Sequence, residues 1–255
     1  MKNITKRNFK NYWDKYKDIY SFEEFSAIYR EIELLKSVSL KKKYVLELGC
    51  GYRPLFTTSD EYLNYLAIEP GNDPYKEVLN MSKKHKNVHV FNSTFEEWCL
   101  KNSKIKLDLI ILPGVLHEVN NANEVLNLCL NHLNPGGLIY INVPNANSLH
   151  RRIAVSMGIL KETTGKSSRN LELEQNYNFT IKSLKSLINK VSKNFEILKL
   201  KTFFLKPFTH DQMLSIFNKG IIDHEIIRGL YEVSEQTEEL GSEIACVVKY
   251  KSAKL

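Results

Sequence analysis

The stretch Val45-Leu46-Glu47-Leu48-Gly49-Cys50-Gly51 decides how the rest of the chain is read. A short apolar strand carries an acid near its end and runs directly into a Gly-x-Gly turn. The two glycines let the backbone approach a ligand closely and adopt angles that other residues resist. The Glu47 carboxylate can accept hydrogen bonds or face a cationic ligand group. Glu69 ends the next apolar run, roughly 20 residues further on, where a carboxylate can take both hydroxyls of a ribose. This spacing is that of an adenosine site beside the switch point of a parallel sheet.

Working outward, strands alternate with helices. Tyr44–Leu48 and Leu63–Ile68 read as strands, Pro74–Lys84 as a helix and Val88–Phe91 as a third strand. Thr94–Leu100 reads as helical, and Leu107–Leu112 as a nearly continuous apolar strand. Asn123–Leu133 follows as a helix with Val125, Cys129 and Leu133 on one face. The turn Asn134-Pro135-Gly136-Gly137 leads into strand Leu138–Val143. Apolar strands in βα alternation predict a parallel sheet covered on both faces. Upstream, residues 5–38 read as helical. Phe25, Ile28, Tyr29, Ile32 and Leu35 share one face, and Glu24, Arg30, Glu31 and Lys36 the other. The aromatic cluster Phe9, Tyr12, Trp13, Tyr16, Tyr20 and Phe22 either caps the core or overhangs a substrate pocket, which makes Tyr12 a candidate acceptor contact. Downstream, residues 145–180 read as an irregular, basic loop of the functional or lid kind. A helix around Leu184–Val191, a strand Phe195–Phe204, a helical stretch over 210–240 and a last strand Glu243–Tyr250 complete the chain. The final two strands are expected to pair as an antiparallel hairpin-like unit.

With these residues in place, the chain resembles the class I S-adenosylmethionine (SAM)-dependent methyltransferases. Their first motif is an acid-x-Gly-x-Gly stretch after strand one. The resemblance implies that Gly49, Cys50 and Gly51 lie against the amino-acid portion of the cofactor with Glu47 nearby, and that Glu69, followed by Pro70, holds the ribose hydroxyls. Thr94, Phe95 and Glu96 match the region that contacts adenine. Pro113 and Gly114, after the fourth strand, match the motif flanking the methyl-transfer point, and Leu133–Gly137 matches the usual entry into strand five. Five motifs in order over residues 44–145 carry the resemblance; beyond residue 177 it lies only in the order of elements. The implied fold is α/β, a Rossmann-like, mostly parallel, seven-stranded sheet. An N-terminal helical cap (1–43) precedes a SAM-binding domain (44–255) that holds an acceptor loop (145–180) and a helical insertion (206–242). The implied cofactor is S-adenosyl-L-methionine, the product S-adenosyl-L-homocysteine.

The chain departs from the family pattern at two points. Arg53-Pro54 stands where a third glycine is frequent, and His117-Glu118 where Glu-His is common. The same Pro54 counts against a nicotinamide site, whose Gly-x-Gly-x-x-Gly fingerprint needs glycine there, and no P-loop occurs.

Composition narrows the partners. The net charge is +7, from 36 basic and 29 acidic side chains, which favours anionic partners without choosing among them. The four cysteines are scattered, with no C-x-x-C, so neither a structural zinc nor a disulfide framework is expected. No segment has the apolar length of a membrane span or a signal peptide, and the expected compartment is the cytoplasm. Methyl transfer from a sulfonium is an in-line displacement, so alignment and exclusion of water come first, and a base helps a hydroxyl acceptor. His117, just after strand four, and His150, in the basic loop, are the candidate catalytic side chains. Arg151 and Arg152 are candidates for binding an anionic acceptor in bidentate fashion. Val143–Arg152 also resembles methyltransferases that modify sugars and bacterial surface polysaccharides. The expected reaction is therefore O-methylation of a sugar, nucleotide-sugar or related anionic metabolite. Two rivals stand beside it. An RNA methyltransferase fits the basic charge but lacks an RNA-binding module and a basic-aromatic stripe. A non-catalytic methyltransferase-like partner protein would not need intact Glu47, Gly49, Gly51 and Glu69.

Overall fold

A computed structural model of the chain describes residues 20–251. Helix α1 (Tyr20–Ser37) leads into β1 (Tyr44–Leu48), β2 (Asn64–Ile68), α2 (Asn72–Ser82), β3 (Val88–Phe91) and α3 (Phe95–Lys101). The chain continues with β4 (Leu107–Pro113), α4 (Ala122–His132), β5 (Leu133–Pro144), α5 (Leu149–Ser156), α6 (Ser168–Glu172) and α7 (Ile181–Val191). It ends with β6 (Phe195–Phe203), α8 (His210–Asn218), α9 (His224–Val233) and β7 (Glu243–Tyr250). The sheet order is β3-β2-β1-β4-β5-β7-β6. The pairs from β3 through β5 are parallel, whereas β7 runs antiparallel to both β5 and β6. The order reverses between β1 and β4, so the crevice at their carboxyl ends is the switch point where α/β sheets bind ligands.

Successive strand residues point to opposite faces, and here each face has its own core. Leu46, Leu48, Ile110, Leu112, Ile139 and Ile141 pack with α3, α4 and α7. Val45, Leu109, Ile111, Tyr140, Ala245 and Val247 pack with α1, α2, α8 and α9. Each fully buried aliphatic side chain contributes about 1.5–3 kcal/mol. This is why the continuous apolar β4 occupies the middle of the sheet.

Three differences from the sequence reading bear on function. The turn at Asn134–Gly137 is absorbed into β5, whose pairing with β4 jumps from Leu107↔Leu133 to Leu109↔Leu138. Residues 145–180 are not wholly irregular, because α5 and α6 lie within them. Arg30 is not on a solvent face: it reaches Glu23 at 2.6 Å and Glu243, on the last strand, at 2.9 Å. Tyr12 and the proposed helix over residues 5–19 lie outside the described residues.

Candidate active site

A cavity of about 900 Å³ opens at the carboxyl ends of β1, β2, β4 and β5, toward the upper end of the ~300–1,000 Å³ range of small-molecule sites. Its two sides have different chemistry.

The first side is built on the glycine turn. Gly49 sits at φ +63°, and a Cβ there would stand 2.7 Å from Val115 Cγ2, so neither the backbone angle nor the space admits a side chain. Glu69 is buried and joins two turns: Oε2 accepts from the Gly51 N–H at 2.9 Å and Oε1 from the Gly71 N–H at 2.7 Å. Each carboxylate oxygen has a second lone pair, which suits two adjacent hydroxyls. Glu47 Oε2 accepts from the Tyr65 hydroxyl at 2.7 Å and the Leu55 N–H at 3.1 Å. Burial pushes its carboxyl up to about 7, against the pull of those two donors. Cys50 is buried beside this turn. Pro70, Pro113 and Gly114 complete the rim.

Thr94 caps α3 in a reciprocal capping box with Glu97. Phe95 is buried, stacks on Trp98 with centroids 6.2 Å apart, and still lines the cavity with Glu96. Ser93 Oγ is buried in the same wall and has no hydrogen-bond partner among the described residues. A buried hydroxyl of this kind calls for a ligand or water.

The opposite side is a wall of buried charge. Asn142, near the end of β5, accepts from the Gly114 N–H at 3.0 Å and donates through Nδ2 to Glu243 Oε2 at 3.2 Å. Glu243 pairs with Arg30, and Arg30 with Glu23. Glu23 Oε2 lies 2.8 Å from His210 Nε2, close but not aligned as a hydrogen bond, and 3.7 Å from Arg169. His210 Nδ1 lies 2.9 Å from Lys206 Nζ. A single run of contacts therefore joins the rim of the first side to Lys206. Burial opposes ionisation of Glu23, but Arg30, His210 and Arg169 outweigh it and hold the carboxyl well below the usual range. Burial lowers the Lys206 ammonium to about 7, helped by Arg169 and Arg30 and opposed by Glu23 and Glu243. His210 is lowered to about 4, first by burial and then by Lys206.

The candidate catalytic and acceptor residues divide. His117 lines the cavity, with Nε2 3.1 Å from Gln175 Nε2 and 3.5 Å from Glu118 Oε1. Its carbonyl accepts from the Asn176 and Tyr177 N–H groups, so it also anchors the segment before α7. His150 lies in the wall against Ser148 Oγ and the Lys206 main chain. Burial, followed by Lys206, lowers its pKa to about 2. Arg151 is buried, with its guanidinium donating to the carbonyls of Thr163 and Gly165 and to Asn170 Oδ1. Arg152 is exposed, donates to the Asn147 carbonyl, and does not line the cavity. As placed, the two arginines do not form a paired clamp, because one guanidinium braces the loop and the other faces away from the site. Glu23, Arg30, Lys206 and Glu243, none of them a site candidate from the sequence, all line the cavity. The available signal was Lys206-Pro207 with His210 directly after β6.

Known proteins of the same fold and family identify the class of the chain. Residues 21–191, more than half of the chain, match the family described as a methyltransferase domain, and the chain belongs to that family. The chain spans about half the length of the curated relatives it matches. It is 25% identical over 116 residues to the ubiquinone biosynthesis O-methyltransferase of Coxiella burnetii, covering 44% of this chain and 48% of that one. A SAM-dependent methyltransferase structure from Thermotoga maritima superposes with a TM-score of 0.58 at 14% identity, covering 96% of this chain and 98% of that one. A plantazolicin methyltransferase in complex with S-adenosylhomocysteine superposes with a TM-score of 0.57 at 12% identity, over 97% and 91% of the two chains. The fold is that of the SAM-dependent methyltransferases, and the family's cofactor is S-adenosylmethionine.

Proposed function

We propose that this protein transfers the methyl group of S-adenosylmethionine to a hydroxyl of a small polar acceptor, of the sugar, nucleotide-sugar or related anionic-metabolite class. One observation carries the reading: a single cavity runs from the glycine turn and Glu69 to a buried charged wall, with Gly114 and Asn142 at the seam. Gly49–Gly51, Glu69, Pro70 and the Thr94–Glu96 turn would hold the cofactor, with Glu47 beside its cationic part. The residues fit it, since the buried Glu69 carboxylate lines the cavity and Ser93 Oγ has no hydrogen-bond partner among the described residues. Bound S-adenosylmethionine supplies an electrophilic methyl on a sulfonium, whose sulfur keeps the bonding pair as the methyl leaves. The chain's own task is to orient the acceptor and exclude water. Charged side chains buried in a wall suit a hydroxyl-rich ligand that can satisfy them. Arg169 meets Glu23 at only 3.7 Å and retains donors for an anionic group. The four cysteines are buried and unpaired, and among the described residues no helix is long and apolar enough to cross a membrane. The unpaired thiols fit a reducing compartment such as the cytoplasm.

The test is thermal unfolding with and without S-adenosylmethionine, using NAD as the control. Saturation at 100 times Kd stabilises by about 2.7 kcal/mol, roughly 5–10 °C for a chain of this size. In Glu69→Ala the shift shrinks, because the ribose side loses an ionised acceptor whose hydrogen bonds contribute about 1.5–3 kcal/mol each. Absence of a shift at millimolar cofactor overturns the enzyme reading. Label transfer from methyl-labelled cofactor is then followed over a panel of nucleotide sugars, sugar phosphates and RNA. Labelling of RNA alone replaces the small-molecule acceptor.

A further inference from the structure

Just past β6, Phe204 sits at φ +60°, in the left-handed region that aromatic residues avoid. The conformation is held from three directions. The Phe204 N–H donates to Ser234 Oγ at 2.9 Å, and its carbonyl accepts from both the N–H and Oγ of Ser242 at 2.8 Å. Its ring stacks on Phe22 and Tyr29. This over-determined bend precedes Lys206, which is only 4% exposed and lines the cavity. Strain retained in this way occurs at functional positions.

Lys206 Nζ faces His210 Nδ1 at 2.9 Å, and His210 Nε2 faces Glu23 Oε2 at 2.8 Å. Glu23 is in turn fixed by Arg30. We infer that Lys206 takes the proton from the acceptor hydroxyl, with His210 and Glu23 as its positioning pair. This rests on the methyl-transfer reading above and adds to it the residue that removes the proton and the acceptor class, a hydroxyl. A hydroxyl acceptor needs a base to take its proton as it is methylated, whereas a neutral amine can attack without one. As the O–CH3 bond forms and the S–CH3 bond breaks, the O–H proton moves to Nζ. One positive charge leaves the sulfonium and one appears on Lys206, where Glu23 and Glu243 offset it. A base must be neutral to act, and burial together with Arg169 and Arg30 makes Lys206 neutral in a usable range. His210 remains neutral, so with Nδ1 accepting from Nζ its proton sits on Nε2, 2.8 Å from Glu23 Oε2. His150 is much harder to protonate, and its ring meets Ser148 and the Lys206 main chain, which makes it a support for Lys206.

Protein carrying 13C at lysine Cε is titrated by NMR between pH 5.5 and 11, and the Lys206 resonance is assigned by its absence in Lys206→Arg. The expected midpoint is about 7, and in Glu23→Gln it falls further because a stabilising anion is gone. With the acceptor found by label transfer, kcat rises about tenfold per pH unit below that midpoint and levels above it. Lys206→Arg and Lys206→Met lose about 10²–10⁴-fold in kcat and retain the thermal shift with S-adenosylmethionine. A midpoint near that of free lysine, a midpoint unmoved in Glu23→Gln, or full turnover in Lys206→Met overturns the assignment. A missing cofactor shift in the wild type overturns the methyl-transfer reading instead and leaves the Lys206 titration to be judged separately.

Discussion

On the glycine-turn side of the cavity, ligand-facing groups are organised by main chain and short sequence separations: the Gly51 N–H reaches Glu69 18 residues away, and the Gly71 N–H reaches it across two. On the opposite side, Arg30 meets Glu243 across 213 residues, and nearby the Tyr231 hydroxyl donates to Glu33 across 198. The first side is a backbone shape that one cofactor can share among many proteins. The second is an assembly of side chains from α1, β7 and the chain around α6 and α8, which can change without disturbing the parallel strands. On the proposed reading the first side is the constant cofactor half and the second the variable acceptor half, with the division running through the middle of one cavity.

The comparison breaks most visibly at Arg30. Arg30→Ala leaves Glu23 and Glu243 without their shared partner. Breaking a buried pair of this kind costs about 3–5 kcal/mol, or a melting temperature lower by roughly 10 °C. The increment added by S-adenosylmethionine should survive, since Arg30 lies across the cavity from the glycine turn. A fall of only a degree or two would show that charge pairing does not hold this wall together.

Next in size, the two sides should respond to pH in opposite senses. Glu47 has a folded pKa raised from 4.5 to about 7, so its stabilising contribution is full below 4.5 and is lost as pH rises through 7. Lys206 has a folded pKa lowered from 10.5 to about 7, so its contribution is full above 10.5 and is lost as pH falls through 7. Melting temperature measured against pH should therefore show a falling limb that Glu47→Gln flattens and a rising limb that Lys206→Met flattens. If either substitution shifts the whole curve without changing the slope of its limb, the assignment of that limb fails.

The smallest effect sharpens the boundary between the sides. Arg53, in the glycine turn, reaches Glu31 at 3.4 Å and Glu24 at 3.9 Å on α1. These are exposed pairs worth about 0.2–1 kcal/mol. Arg53→Ala should lower the melting temperature by roughly 2 °C or less in dilute buffer and by nothing measurable in 1 M salt, where the Debye length is about 3 Å. A loss that persists in salt would point to packing by the arginine stem instead.

The same division governs what the sequence discloses. The strand before Gly49, the acid at Glu69 and the run of β7 are legible because strand period and glycine turns are local signals. The antiparallel docking of β7 follows the expected hairpin-like pair. Arg30 was not legible: hydrophobic periodicity separates polar from apolar positions, and a charge facing a polar cavity reads the same as one facing water. Lys206 was hidden for a related reason, since its setting depends on a left-handed Phe204 that no propensity anticipates. Arg151 and Arg152 looked like a pair from adjacency alone. A helix directs neighbouring residues about 100° apart, so one braces a loop and the other meets solvent.

The position of β7 has a consequence for how the molecule comes into being. β7, which comes later in the chain than either β5 or β6, slots between them, and its first residue, Glu243, belongs to the charged wall. A nascent chain can lay down the parallel strands and the glycine turn while β5 and β6 still present open edges of the kind that recruit other chains. On the proposed assignment of the two sides, the residues of the cofactor side are thus all synthesised before the charged wall is complete. A chain interrupted between β6 and β7 would carry every residue assigned to the methyl donor and lack Glu243, the carboxylate that joins Arg30 to Asn142 at the seam of the cavity.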